Sequence, residues 1–579
     1  MKKKLILLLC VAAPMLLAAQ QPPYSAEVLK RMEAVEQSVS LNRFVIKGAP
    51  SPTLEERMAY YGVKGVSVAV INNGKVEWAK GYGWADAEQK IPVTTETLFQ
   101  PGSISKSLNA MAVLSLVEDK KLSLKTDINQ QLKSWQFPYD TSSHGKVITL
   151  RNLLSHTAGL GVHGFPGYEY GVPRPTVPQI LDGAPPANTP PVRSLFEPGL
   201  RMQYSGGGTM ISQLMAMDAT GLPYDELVRR RVFAPLGMTS SFFTQPIPDS
   251  LRSRMALGYT DRGKPVPDGH TILLEQAAGG LWTTPSDLCK YILEVQQSRV
   301  GKSNKVLSKK TTQLMLTPYL DPNAGLGVFV EDHNGELYFQ HAAGNVGFCG
   351  KYYGSFEDGR GMVVFLNGDY AFPLIDEIMN AILRTYGWEG WAIDSLEEMD
   401  TVKIAPNDFS RYAGLYRDGE VITRIAVEDD HLTFQATDKP WMAHFTNDST
   451  FFNLESKTVK HFRFDAQGRA TGYSRWADGK MLSEAVRLPD FAPSPEDRQR
   501  FLGKYLDGQG GVMEVFAQGD GLFIKDTEES FEMHFISPTD FFTAEYFNYR
   551  FSMVLDEQQE VKGILMQADG QEFLMEKVR

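Results

Sequence analysis

The chain has 579 residues, 42% hydrophobic and 22% charged, which suits about three or four folding units and excludes a disordered chain. Its 58 basic and 69 acidic side chains leave a net charge of -11, which offers no electrostatic footprint for nucleic acid or anionic lipid and disfavours a nucleic-acid partner. Residues 400–579 hold 20 basic and 31 acidic residues, so the acidic excess lies in the last third, as a separate well-solvated unit would place it.

Met1-Lys2-Lys3-Lys4, an apolar run from Leu5 to Leu17 and Ala18-Ala19-Gln20 have the charged, apolar and small-residue parts of a secretory signal peptide over residues 1–19. The run is shorter than the ~20 residues needed to span a bilayer, and no later segment is long enough. Cys10 lies among leucines, so no lipid anchor is expected and the mature chain is read as exported and periplasmic. Beyond that segment only Cys289 and Cys349 remain, and these are expected as two buried free thiols.

Residues 20–52 are read as an N-terminal extension, and 53–395 as one large unit of mixed strands and helices. The apolar run Val66 to Ile71, the turn Asn72-Asn73-Gly74 and Lys75 to Trp78 predict a hairpin. Leu108 to Val117 and Leu374 to Tyr386 predict helices, while Leu337 to His341 and Met362 to Leu366 predict a strand pair. Between Gly161 and Gly199 stand nine prolines, which argue against helix and central strand. A loop of that length is expected to cover a pocket, with Phe165, Tyr168 and Tyr170 as an apolar wall.

After Pro406 the pattern changes to short alternating strands and repeats itself. Gly414 matches Gly503, Leu432 matches Leu522, Phe445 matches Phe535, Asp465 matches Asp556 and Gly472 matches Gly563, at offsets of 89 to 91. Two small antiparallel β-barrels are expected, over 400–490 and 497–579, with no nucleophile and base of their own.

Chemistry concentrates at Pro101-Gly102-Ser103-Ile-Ser-Lys106. The turn precedes an apolar helix, and Lys106 at i+3 lies beside Ser103 on one face. A buried lysine with a lowered pKa can take the proton of a serine hydroxyl, and the helix start favours the negative charge that develops. Ser-x-x-Lys by itself is a weak signal, better explained by a capped helix with a surface lysine. Here Phe196 to Gly206, containing Tyr204-Ser205-Gly206, and Gln340-His341-Ala342-Ala343-Gly344 follow in order. So do Leu153 to Leu160, Phe233 to Met238 and Ala277 to Asp287.

Together these motifs resemble the serine β-lactamase and penicillin-recognising family, especially its class C-like serine hydrolase branch, over about Thr53 to Tyr386. The resemblance implies an α/β (α+β) sandwich with a helical lobe, and an acyl-enzyme formed without metal or cofactor. It makes Ser103 the nucleophile, Lys106 its base and Tyr204 the phenol that relays a proton to the leaving group. His341 takes the third-motif position, where lysine is common, and the backbone amides of Ser103 and Gly344 form the oxyanion hole. His156 is read as structural. Among substrate-binding positions, Gly206 replaces the usual asparagine and Ala343 the usual glycine, and Phe165 and Tyr168 supply the wall. The C-terminal repeats resemble lipocalin-like barrels attached to some peptidases of this family.

The expected substrate is a small molecule or short peptide, as for an esterase or a D-stereospecific or small-peptide peptidase. Acyl transfer to a hydroxyl and β-lactam hydrolysis use the same machinery, and a catalytically idle binding protein is the reading of another class. The departures at Gly206 and Ala343 count against efficient β-lactam hydrolysis.

Overall fold

The computed structural model describes residues 24–578 except 41–43, 261–262, 358, 370, 389, 392–396, 420, 429–430, 437–440, 455, 490, 507–510, 520, 526–529, 544–548 and 569–570. The signal-peptide reading of residues 1–19 lies outside them. The described residues form two compact units, one within 24–40 and 51–391 and the other within 44–50 and 397–578.

The first unit is built on a seven-stranded antiparallel sheet. Its strands are β1 (Gly65–Asn72), β2 (Lys75–Asp86), β3 (Ile91–Pro92), β4 (Phe329–His333), β5 (Glu336–Asn345), β6 (Phe348–Ser355) and β7 (Gly361–Leu366), in the spatial order β3-β2-β1-β7-β6-β5-β4. The β1–β2 hairpin closes as expected, with Asn72 opposite Lys75 and both Asn73 and Gly74 at positive φ. The expected pairing of Leu337–His341 with Met362–Leu366 does not occur, because β6 lies between them. Its glycines make room there: a Cβ at Gly350 would lie 2.7 Å from Phe365, and one at Gly354 2.5 Å from Phe339.

Strand alternation divides the core. Val66, Val68 and Val70 of β1 and Met362, Val364 and Leu366 of β7 face one helical layer, while Ala69, Ile71, Val363 and Phe365 face the other. The first layer holds α1 (Ala26–Glu36), α2 (Leu54–Tyr61) and a late helix, Phe372–Tyr386. Thus the segment read as an N-terminal extension contributes Met32, Val35 and Val39 to this core. A buried ion pair ties the layer together: Arg57 of α2 makes a bidentate contact with Glu377, through Nε at 2.7 Å and Nη2 at 2.6 Å, and the Tyr61 hydroxyl donates to Glu377 at 2.8 Å.

The other face carries the lobe formed by residues between the two groups of strands. Within it α3 (Ser105–Glu118) is buried from Ser105 to Leu116, so it is enclosed on every side. It packs against α4 (Gly206–Thr220) and the short α5 (Gln276–Gly279), while α6 (Pro285–Val300) lies across the sheet and the late helix becomes α7. Cys289 and Cys349 are buried and free. In the proline-rich stretch the expectation of no helix fails at Val177–Asp182. Thr176 caps that helix, and Pro178 sits in its first turn, where the missing N–H has no intrahelical partner to lose.

In the second unit, two nine-stranded antiparallel sheets each curl into a nearly closed barrel. The edge strands of the first, Trp441–Met442 and His444–Phe445, are separated only by Ala443, and those of the second, Ser530–Glu532 and His534–Phe535, only by Met533. The repeat extends to single hydrogen bonds, since Tyr416 donates to the carbonyl of Tyr412 and Tyr505 to that of Phe501, each at 2.6 Å. Among the described residues no helix is long and apolar enough to cross a membrane.

Candidate active site

Ser103 lies in the single 3-10 turn Gly102–Ile104 that leads into α3. Gly102 has φ +48, and a Cβ there would lie 2.8 Å from the Gly344 carbonyl oxygen and 2.9 Å from Asn345 Oδ1. Glycine is required at that point for the turn to press against β5. Ser105 fixes the turn from behind, donating to the Gly102 carbonyl at 2.5 Å and accepting the Leu281 N–H at 3.0 Å.

One turn on, Lys106 is 3% exposed and its Nζ donates to Ser103 Oγ at 2.9 Å and to the Ala278 carbonyl at 2.7 Å. Burial disfavours the ammonium and pushes its pKa down to about 7. Near neutral pH a large fraction of Lys106 is therefore an uncharged amine beside the serine hydroxyl, as a general base requires.

Tyr204 enters just before α4, which Ser205 caps by accepting the Gly208 N–H at 2.9 Å. The Tyr204 ring lies near those of His156 and His163, with centroids 4.3 and 4.8 Å away, and Lys106 Nζ is 5.0 Å from its centroid. Burial raises the phenol above its ordinary range, and a hydrogen bond with Ser103 opposes that shift, so the hydroxyl keeps its proton at neutral pH. His156 accepts the Ser205 N–H on Nδ1 at 3.2 Å; burial, Lys106 and the neighbouring histidines keep it uncharged. It holds the start of α4 in place.

The opposite wall is β5. Strand β4 pairs with it only as far as Gln340, leaving residues 341–345 without a partner on that edge. Asn345 and Phe348 close a two-residue turn, so the N–H groups of residues 341, 343 and 345 run toward β6 and that of Gly344 toward the open edge. His341 is 2% exposed, with Nδ1 2.6 Å from the Ala342 carbonyl. Burial first, then the Lys106 charge, pushes its pKa down to about 3, so it is neutral.

These groups share a cavity of about 590 Å³ lined by Ser103, Lys106, Tyr204, His341, Ala343 and Gly344, and Phe165 lies on its wall. Two expected binding residues are elsewhere. Tyr168 is buried at 4% exposure, its backbone bridged to Ile272, and does not line the cavity. Gly206 also lies outside it: its N–H donates to the His163 carbonyl, and a Cβ would lie 2.9 Å from that oxygen and 3.0 Å from the Phe165 ring. The segment carrying His163 and Phe165 crosses α4 where an asparagine side chain would otherwise stand. His163, Phe329, Phe372 and the Ala278 carbonyl also line the site and were not singled out from the sequence. Among the described residues no group of three or more His, Cys, Asp or Glu side chains could hold a metal ion.

Three residues before Ala278, Glu275 is fully buried, and neither carboxylate oxygen accepts a hydrogen bond from a described residue. Burial raises its pKa to about 7, and its own backbone N–H, then the nearby Tyr168 hydroxyl, oppose this only in part. The unfolded carboxyl loses its proton near 4.5 and the folded one near 7, so the folded state binds more protons in between. Stability therefore falls as pH rises through that window and levels off above it. Glu275→Gln is expected to stabilise the first unit by roughly 3 kcal/mol at pH 8 and by little at pH 4, from urea unfolding at the two values. Equal effects at both would assign Glu275 an ordinary pKa.

The Beta-lactamase family model matches residues 52–383. A "Beta-lactamase" of Pseudomonas fluorescens is 30% identical over 249 residues, 43% of this chain and 64% of that protein. A "Teichoic acid D-alanine hydrolase" of Staphylococcus aureus (strain MRSA252) is 28% identical over 258 residues, 43% of this chain and 57% of that protein. The chain thus spans less than two thirds of the length of these curated relatives. Among solved structures, the octameric penicillin-binding protein homologue from Pyrococcus abyssi aligns at 19% identity and a TM-score of 0.49, covering 82% of this chain and 98% of that one. With more than half of its length matched by the family model, the chain belongs to the Beta-lactamase family.

Proposed function

We propose that the chain is an exported serine hydrolase that forms a Ser103 acyl-enzyme on small esters, or on amides with a small or D-configured acyl part. The observation that carries this reading is Lys106: buried, 2.9 Å from Ser103 Oγ, and lowered to a pKa of about 7. Neutral Lys106 takes the Ser103 proton as Oγ attacks the substrate carbonyl. The amides of Ser103 and Gly344 receive the oxyanion, and Tyr204 passes a proton to the leaving group. Water then attacks the acyl-enzyme by the reverse route. The relative named teichoic acid D-alanine hydrolase is in keeping with a D-configured acyl part. The charged and apolar start of the chain supports a periplasmic location, and the two barrels are assigned no chemistry of their own.

Penicillins and cephalosporins are placed below esters because an ester leaving group departs with little protonation, whereas a β-lactam must be held by its carboxylate and side-chain amide while the ring opens. Neutral His341 does not supply a cation for that carboxylate, and Gly206 offers no side-chain amide. The test is a fluorophosphonate adduct mapped by mass spectrometry, with kcat/KM for a p-nitrophenyl ester, a D-alanyl anilide and nitrocefin. The adduct is expected on Ser103, with nitrocefin slowest. An adduct on another serine, or nitrocefin ahead of both others by tenfold, would overturn the reading.

A further inference from the structure

The imidazole of His341 has a hydrogen-bonding polarity that the acyl-enzyme chemistry above does not use. Its Nδ1 lies 2.6 Å from the Ala342 carbonyl, and a carbonyl oxygen only accepts, so Nδ1 carries the proton. Nε2 is then the bare nitrogen of a neutral ring, an acceptor. That atom is buried and has no hydrogen-bond partner among the described residues, on a side chain that lines the cavity. A second proton on Nε2 would place an imidazolium close to Lys106 in a site shielded from water, and both burial and that charge oppose it. Lys106 directs its own hydrogen bonds to Ser103 and Ala278. A buried acceptor without a donor is costly, and a ligand that brings the donor removes the cost.

The chemistry of the cavity narrows what can bring it. Lys106 is the only Lys, Arg, Asp or Glu among the described residues lining it, and Phe165, Leu273, Phe329 and Phe372 give it apolar walls. The His341 ring is 6.3 Å from that of Tyr204 and 5.4 Å from that of Phe329, centroid to centroid. Since Tyr204 is assigned to the leaving group, a substrate atom reaching Nε2 belongs to the leaving-group half.

Building on the acyl-enzyme reading, we propose that His341 Nε2 accepts a hydrogen bond from an uncharged O–H or N–H in the leaving group, which makes His341 a specificity residue. The substrates so defined are esters of polyols and amides of amino-acid amides. A free carboxylate at the same position brings only acceptor oxygens against an acceptor nitrogen and is disfavoured. The third motif therefore selects by hydrogen-bond direction, opposite to what a lysine there would select.

Three acetate esters of matched size test this on the full chain: 2-hydroxyethyl acetate, 2-methoxyethyl acetate, in which the donor is capped, and carboxymethyl acetate. In the wild type, kcat/KM for the hydroxyethyl ester is expected to exceed that for each of the others by about tenfold or more, the usual effect of leaving a buried acceptor unpaired. His341→Leu is expected to bring the hydroxyethyl and methoxyethyl esters within about twofold of each other, whatever its effect on the absolute rates. Equal rates for those two esters in the wild type, a preference for the carboxymethyl ester, or turnover of p-nitrophenyl acetate with none of the three would overturn the proposal and leave the hydrolase reading standing. Absence of any ester turnover together with an unlabelled Ser103 would remove both. The wild-type comparison decides the matter even if the variant does not fold.

Discussion

Replacing Lys106 by methionine is expected to lower kcat/KM for a p-nitrophenyl ester by about 10²–10⁴-fold, the range general-base catalysis contributes. Methionine keeps the buried apolar stem and removes the amine that lies 2.9 Å from Ser103 Oγ. In the wild type, kcat/KM is expected to fall as pH drops through about 7, because protonation of Lys106 removes the base; the sign follows from the amine being the active form. The variant should lose that limb while its circular dichroism is unchanged. A loss of less than tenfold, with the limb retained, would move the proton-accepting role to another group.

The largest expected effect on stability lies on the other face of the sheet. Arg57→Met leaves the buried Glu377 with the Tyr61 hydroxyl but without its bidentate cation. Removing one partner of a buried pair costs about 3–5 kcal/mol, because the remaining charge is desolvated and uncompensated. Replacing both, with Arg57→Met and Glu377→Leu together, is expected to recover most of that loss, since well-packed apolar residues often match a buried ion pair. Urea unfolding of the single and double variants measures both. A single variant within 1 kcal/mol of wild type would mean that Glu377 takes up a proton or finds another cation.

The sequence could be read wherever local spacing, a repeated pattern or an ordered series of motifs carries the information. Ser103 and Lys106 are one turn apart, so their contact follows once a helix is granted. The barrels were visible because one strand pattern recurs at a near-constant offset. Other features depend on the path of the chain in three dimensions. The acceptor that anchors Lys106 is the carbonyl of Ala278, a group every residue carries, so no side chain announces it. Tyr168 was read as a wall residue because it belongs to the proline-rich stretch that follows Leu153 to Leu160, but it is buried, with its backbone bridged to Ile272. Strand β6 was missed because its glycines, which accommodate Phe365 and Phe339, weaken the apolar alternation by which a strand is recognised.

The sheet that supports the site also sets when the site can exist. Val66 of β1 pairs with Leu366 of β7, 300 positions later, and β4 to β7 all follow residue 328. Joining two such distant stretches requires a large loop to close before native contacts reward it, which favours slow folding. Ser103 emerges early during synthesis, yet the Ala278 carbonyl that orients its lysine and the β5 edge beside it come roughly 170 and 240 residues later, at ribosomal rates of about 5–20 residues per second. The nucleophile thus spends its first tens of seconds without the partners that would make it reactive, and hydrolysis reports that the sheet of the first unit has been completed.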